Sequence, residues 1–203
     1  LELNATTIDM NGNLDLSGTI NGISILADAT NFTDSILISQ NASTGTLSSA
    51  SNNTGFGDSV FASLTSGNDN AGFGFKTLNA NTTGSDNTAI GAFALQRNTT
   101  GSNNIGIGFD SLGTNTTADN NVAIGKNSLQ ANTTGSENTA VGANSLDANT
   151  TGGNLAAVGM HSLGANTTGN NNSALGHGAL LVNTTGSGNT AVGMESLDAN
   201  TTA

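Results

Sequence analysis

The residues best suited to chemistry in this sequence are two histidines, His161 and His177, and fourteen acidic side chains. A catalytic histidine needs a nucleophile or a carboxylate held beside it. The two histidines fall in different copies of a repeat, neither recurs, and neither is partnered with a serine in a common pattern. The chain has no cysteine, which excludes thiolate ligands. We therefore predict no catalytic, cofactor-binding or metal-binding residues, and we expect that the protein is not an enzyme.

Calcium is the metal that carboxylates spaced along a repeat would suggest. Asp69, Asp86 and Glu137 share one position of the repeat, and Asp147 and Asp198 share another. Calcium-binding solenoids carry an aspartate in every coil, next to a glycine-rich turn. Both acidic columns are interrupted, so the sequence favours exposed polar variation over a calcium array.

The charge balance excludes further classes of function. Net charge is −11 with only three basic residues, Lys76, Arg97 and Lys126. Nucleic acids and anionic membrane surfaces both require clustered cations, so neither is an expected partner. No apolar run approaches the roughly 20 residues of a membrane-spanning helix. Because the sequence begins at Leu1 and ends inside a repeat, we expect a processed product or part of a longer chain.

A glycine recurs at a constant 17-residue step without a gap, and we call these glycines the column glycines. A large apolar residue precedes each one, a Gly or Ala stands two before it, a Leu or Phe follows four after it, and an Asn-Thr-Thr-Gly cluster usually begins seven after it. The column glycines are Gly57, Gly74, Gly91, Gly108, Gly125, Gly142, Gly159, Gly176 and Gly193.

This register predicts an all-β fold, a parallel β-solenoid of nine 17-residue coils over residues 53–203, the last one truncated. The segment Asn138–Gly142 alternates with period two, which is typical of a strand. A repeat of this length is too short for a pair of helices. Coils stacked about 4.8 Å apart would extend the nine over roughly 40 Å.

The columns also predict where side chains point. Ile124 and Val141, like Leu129 and Leu146, are expected to face into the coil, because they form the large apolar columns. Gly84 and its equivalents are expected to supply positive φ in the turns. An asparagine column is expected to form hydrogen bonds along the stack, with a distortion where Leu155 interrupts it. That column is Asn53, Asn70, Asn87, Asn104, Asn121, Asn138, Asn172 and Asn189.

Burial of two large apolar side chains per coil stabilises the fold too little to offset the conformational entropy lost when a whole coil is ordered. We therefore expect the chains to associate. A face of tiny residues allows close approach of another backbone. We predict a parallel homotrimer in which Ala123, Gly125, Ala140 and Gly142 face partner chains.

Residues 1–52 differ in style and are predicted to form an N-terminal β neck or cap. Apolar residues alternate with polar ones from Ile8 to Ile20, and Asn11-Gly12 and Ser17-Gly18 mark turns. Ser35–Gln40 is a further predicted strand that would cover the first coil.

The segment Asn121-Val122-Ala123-Ile124-Gly125-Lys126-Asn127-Ser128-Leu129 resembles the head repeat of trimeric autotransporter adhesins. In that family the repeat forms a left-handed parallel β-roll with three chains side by side, and the repeat is usually somewhat shorter than this one. The longer repeat, and the opening Ala5–Gly18, look like repeats of bacteriophage tail-fibre proteins.

The resemblance implies a structural fibre or adhesin segment that holds a receptor-binding tip away from a virion or cell surface. A host-surface glycan or receptor is the implied outside partner. Two alternatives stay open: a subunit of a self-assembling extracellular filament, and an ice-binding solenoid, for which one rank of turn threonines would face outward. Asn-Thr-Thr is also an N-glycosylation sequon, although turn formation explains it without a glycan. It recurs at Asn81, Asn98, Asn115, Asn132, Asn149, Asn166, Asn183 and Asn200.

Overall fold

A computed structural model describes residues 19–20, 23–29, 32–39 and 44–202. The predicted strands between Ile8 and Leu16 lie outside these residues. None of the described residues forms a helix that could cross a membrane. The strands are β1 Thr19–Ile20, β2 Ile23–Ala29, β3 Phe32–Ser39, β4 Ala50–Ser51, β5 Thr54–Phe56, β6 Ala71–Phe73, β7 Thr88–Ile90, β8 Ile105–Ile107, β9 Val122–Ile124, β10 Thr139–Val141, β11 Ala156–Val158, β12 Ser173–Leu175 and β13 Thr190–Val192.

The strands form one sheet, in chain order except that β4 pairs only with β3 beside the main path, and the last nine strands belong to nine stacked coils. Each pair from β5 to β13 is parallel and offset by one full repeat, as where Ala123 pairs with Ala140. The predicted all-β parallel solenoid and its register are therefore confirmed.

The N-terminal strands continue the same sheet. β2 and β3 are antiparallel, and β3 then pairs in parallel with β5, so the first coil has no open edge on that side. The predicted strand at Ser35–Gln40 is confirmed over Ser35–Ser39, which belong to β3, while Gln40 lies outside the described residues. Stacking contacts begin before Asn53, since the Ser48 amide donates to the carbonyl of Thr65, one repeat further along the chain.

The column glycines turn the chain after each strand. Their φ angles lie between 118° and 140°, a region that side chains rarely adopt. A Cβ on Gly125 would also lie 2.6 Å from the carbonyl of Gly142 in the next coil. The column is therefore fixed both by backbone conformation and by the close approach of adjacent coils.

The leucine column forms the apolar core, as predicted. Leu78, Leu95 and Leu129 are fully buried, and the column adopts left-handed φ values of 48–57° from Phe61 to Leu197. Non-glycine residues persist there only when the surroundings hold them. The core and the bonds from the Leu95 and Leu129 amides to the next coil supply that constraint.

The strand faces are the reverse of the prediction. The middle residue of each strand is buried, as Ala123 is, while Val122 and Ile124 on either side point outward. The interior opposite the leucines is too narrow for a large side chain. At Gly106 even a Cβ would lie 3.3 Å from Leu95 and 3.1 Å from Ser111. The expectation that Ile124 and Val141 point into the coil was wrong.

The predicted partner-facing column is also corrected. Ala123 and Ala140 are fully buried inside their own coils, so they cannot contact another chain. Gly125 and Gly142 do meet backbone closely, but it is the backbone of the next coil in the same chain.

Two local expectations fail as well. Gly84 does not have positive φ. Glycine is needed at this position because a Cβ would lie 2.5 Å from Oδ1 of Asn81 and would overlap the Gly101 carbonyl. Leu155 causes no distortion in the strand ladder, since β11 keeps the same register on both sides. Its amide still donates to Oδ1 of Asn138, at 3.0 Å.

Candidate functional site

The most extensive candidate site is an apolar surface along the outer face of the strands. Large apolar side chains stand outside every coil, in the position before the column glycine. Ile124 is 39% exposed and Leu175 is 51% exposed. We call this column the outer stripe: Phe56, Phe73, Ile90, Ile107, Ile124, Val141, Val158, Leu175 and Val192.

The outer stripe is long and nearly continuous. Nine short strands cover roughly 40 Å by 10 Å, or about 400 Å². This area matches the largest apolar patch of a typical soluble monomer, and such patches are often functional. Toward the C-terminal end, Val158, Leu175 and Val192 line a shallow apolar groove in this surface. The stripe is thus a candidate protein–protein interface.

Two buried asparagine ladders hold the coils in register behind the stripe. In the predicted column, Nδ2 of Asn87 lies 3.1 Å from Oδ1 of Asn70 and 2.9 Å from the carbonyl oxygen of Gly101. The asparagines of the Asn-Thr-Thr turns form a second ladder. There Nδ2 of Asn98 donates to the same Gly101 oxygen, at 2.8 Å. One turn carbonyl therefore joins both ladders.

The second ladder determines whether the sequon asparagines can be glycosylated in the folded chain. Asn149 is fully buried, and its Nδ2 donates to Oδ1 of Asn132 and to the carbonyl of Gly152. Glycosylation requires this nitrogen to be free and accessible. The folded solenoid therefore cannot accept N-linked glycans at the buried sequon asparagines.

The two turn threonines point in different directions. The Thr82 hydroxyl donates to the Thr99 carbonyl at 3.0 Å, and that side chain is half-buried. Thr83 and its equivalents Thr100 and Thr134 are exposed. A single threonine rank thus faces outward.

The histidines meet across adjacent coils. The rings of His161 and His177 lie edge to face with centroids 6.3 Å apart. Burial raises the pKa of the nearby Asp147 carboxyl. Three smaller effects lower this pKa: a hydrogen bond from the Asp147 amide, the charge of His161, and a hydrogen bond from the Ala148 amide. Among the described residues, no group of three or more His, Asp or Glu side chains is arranged to hold a metal ion. The columns of Asp69, Asp86 and Glu137, and of Asp147 and Asp198, do not form one.

The two positions after each column glycine form a surface corner that the sequence analysis did not identify, exposed at Phe75, Phe109 and Lys126 and half-buried at Lys76 and Phe93. Phe75 and Phe93 pack edge to face at 5.3 Å, and Phe93 and Phe109 do so at 5.6 Å. Nζ of Lys76 lies 5.2 Å from the centroid of the Phe75 ring. These aromatic residues alternate between two positions of the repeat, so neither column alone shows that they are in contact. The sequence feature that could have indicated this corner is the variability of the two columns that follow the invariant glycine.

Comparison of the chain with protein-family models, curated proteins and solved structures finds no match.

Proposed function

We propose that this chain is a structural segment of an extracellular fibre or adhesin, which holds a receptor-binding tip away from a virion or cell surface. In this proposal the segment is a parallel homotrimer, and the outer stripes of three chains pack together around its axis. The single observation that carries the proposal is the outer stripe itself. It repeats in every coil and runs parallel to the direction of stacking.

The geometry of the stripe favours lateral association. A buried Ala or Gly stands between the outward residues of each strand, so the fold itself leaves the large apolar side chains in water. Burying them against identical chains stabilises the assembly by the hydrophobic effect. A closed cyclic arrangement covers each stripe without leaving an open edge, and the adhesin resemblance implies three chains.

A spacer role also fits the bonding of the coils. Backbone hydrogen bonds link each coil to the next in the strands and in the turns, as from the Thr99 amide to the Thr116 carbonyl at 2.9 Å. The asparagine ladders add buried side-chain bonds along the same direction. Because these bonds lie along the stack, the solenoid supports a stiff rod whose length scales with coil number.

The experiment is a change of one stripe residue with a matched control. Ile124→Lys places a charge on the stripe, and Thr134→Lys places the same charge on the exposed turn. Light scattering should give three chains for the native protein and for Thr134→Lys, and a smaller, folded species for Ile124→Lys. A native protein that is a folded monomer at micromolar concentration contradicts the proposal.

Two alternatives have distinct outcomes. Open-ended polymers of the native protein would favour the filament subunit. Thermal hysteresis that is lost on Thr134→Lys would favour the ice-binding solenoid, because Thr134 belongs to the outward threonine rank.

A further inference from the structure

The corner positions, the two residues after each column glycine, are among the most variable positions of the coil. The first corner position holds Asp58, Phe75, Ala92, Phe109, Lys126, Ala143, Met160, His177 and Met194. Folding does not require this variety. Equivalent backbone bonds form whatever the side chain, as from Phe93 to Phe75 at 2.9 Å and from Asn144 to Lys126 at 2.9 Å. In a repeat scaffold, such positions are free to recognise a partner.

One part of this corner holds three of the seven phenylalanines and two of the three basic residues of the protein. Phe75, Phe93 and Phe109 form a continuous edge-to-face ladder, and Phe75 and Phe109 are exposed. Lys76 lies over the Phe75 ring, and Lys126 follows Phe109 in the same column one coil later. Two of the three cations in a chain of net charge −11 therefore flank the aromatic ladder. Two carboxylates share this part of the corner: Asp58 stands one coil before Phe75, and Asp110 accepts a hydrogen bond from Nε2 of Gln130.

We propose that this aromatic–basic corner binds an acidic polysaccharide lying along the stack. The C–H faces of pyranose rings would pack on Phe75 and Phe109, and sugar carboxylates would pair with Lys76 and Lys126. Exposed aromatic rings next to cations suit a ligand that combines an apolar face with negative charge. The ligand class rests on the proposed attachment role, while the site itself rests on the corner.

The backbone of the corner argues for a saccharide over a peptide. An extended peptide binds by adding main-chain hydrogen bonds to a free edge. Here the amides of Lys76, Phe93 and Asn127 already donate to the preceding coil. These amides are therefore not free to pair with a peptide strand, and the side chains of the corner carry the recognition. Their repeat at about the 4.8 Å strand spacing suits a polymer with a regular repeat.

The test uses polygalacturonate and, as a neutral probe, its fully methyl-esterified form. The native protein should bind polygalacturonate more tightly, and added salt should weaken binding. Phe75→Ser/Phe109→Ser should weaken binding at least about tenfold, which corresponds to about 1.4 kcal/mol. Lys76→Gln/Lys126→Gln should weaken it about fivefold or more and reduce its salt dependence. Met160→Ser is the matched control in the same column, also exposed, and should bind like the native protein.

Several results would overturn the proposal. They are no binding by the native protein, equal binding of the esterified probe, equal binding of poly-glutamate, or a phenylalanine double variant that binds like the native protein. Light scattering on the same samples separates this site from the trimer. If Phe75→Ser/Phe109→Ser changes the oligomer, the corner is a chain–chain contact and the polysaccharide site is refuted. Ile124→Lys tests the stripe independently.

Discussion

Nδ2 of Asn98 donates a hydrogen bond of 3.0 Å to Oδ1 of Asn81, one repeat earlier, and both side chains are completely buried. The same bond recurs down the stack, including from Asn115 to Asn98 at 2.7 Å. Every buried side-chain nitrogen and oxygen among the described residues has a partner. The narrow interior thus consists of a leucine core and of asparagine ladders whose side-chain amides are all hydrogen-bonded.

Removing one rung of this ladder should destabilise the solenoid. Asn132→Ala deletes the donor to Oδ1 of Asn115 and the acceptor for Asn149. Leaving such buried groups unpaired should lower the free energy of unfolding by about 1–3 kcal/mol. Urea unfolding at fixed protein concentration measures the change. Thr134→Ala, on the exposed rank, should change it by less than about 0.5 kcal/mol. Equal effects of the two variants would show that the ladder adds no stability.

The column glycines should tolerate no side chain. Gly125→Ala combines an unfavourable φ of 133° with a Cβ placed 2.6 Å from the Gly142 carbonyl. We expect a loss of more than about 2 kcal/mol in unfolding free energy. Gly188→Asn is the control, because its φ is 75°, its surroundings are open, and Asn171 occupies the equivalent position. Thermal melting that ranks Gly188→Asn below Gly125→Ala would contradict this account of the column.

The register and the leucine core could be predicted because they depend on spacing alone. A gap-free 17-residue step allows one way to stack, and the Leu129 column carries a large apolar residue in every coil. The asparagine column was predictable for the same reason, since identical amides one strand apart can pair.

The strand phase could not be predicted from the pattern. In Val122-Ala123-Ile124 the alternation is equally regular with either face inward, and large residues are the usual choice for a core. The cross-section decides, because the leucine column leaves room for only Ala or Gly opposite it. The Phe75–Phe93–Phe109 contacts were missed because they join different columns of adjacent coils.

The sequons should stay unmodified in the folded protein. Expressed in a host that glycosylates secreted proteins, folded chains should have the unmodified mass at Asn115, Asn132 and Asn149, whose Nδ2 atoms are buried and bonded. Intact-mass and peptide-mass spectrometry check this. Folded chains that carry glycans on these asparagines would refute the ladder as described.

Asp147 should give a small pH dependence of stability. Burial raises the pKa of its carboxyl above the ordinary value of 3.8, so the charged form is disfavoured in the folded state. The resulting stabilisation is present below the unfolded pKa and is lost as pH rises through the folded pKa. Asp147→Asn should therefore raise the melting temperature at neutral pH. It should also reduce the increase in melting temperature that the native protein shows when the pH is lowered.

Asp198→Asn is the matched control for that experiment, because Asp198 is exposed and stands in the same column. Its melting curve should follow that of the native protein at both pH values. A lower melting temperature for Asp147→Asn at neutral pH would show that the charged carboxylate stabilises the fold.

Cysteine cross-linking tests the lateral association of stripes most directly, because the native chain has no cysteine. Thr139 is exposed on the strand face beside the stripe, and Thr134 is exposed on the turn. In a parallel assembly around the stripes, Thr139→Cys residues of neighbouring chains come together. A short cross-linker should then give covalent dimers on a denaturing gel for Thr139→Cys and monomers for Thr134→Cys. Monomers for both variants, or equal cross-linking of both, would contradict association through the outer stripe.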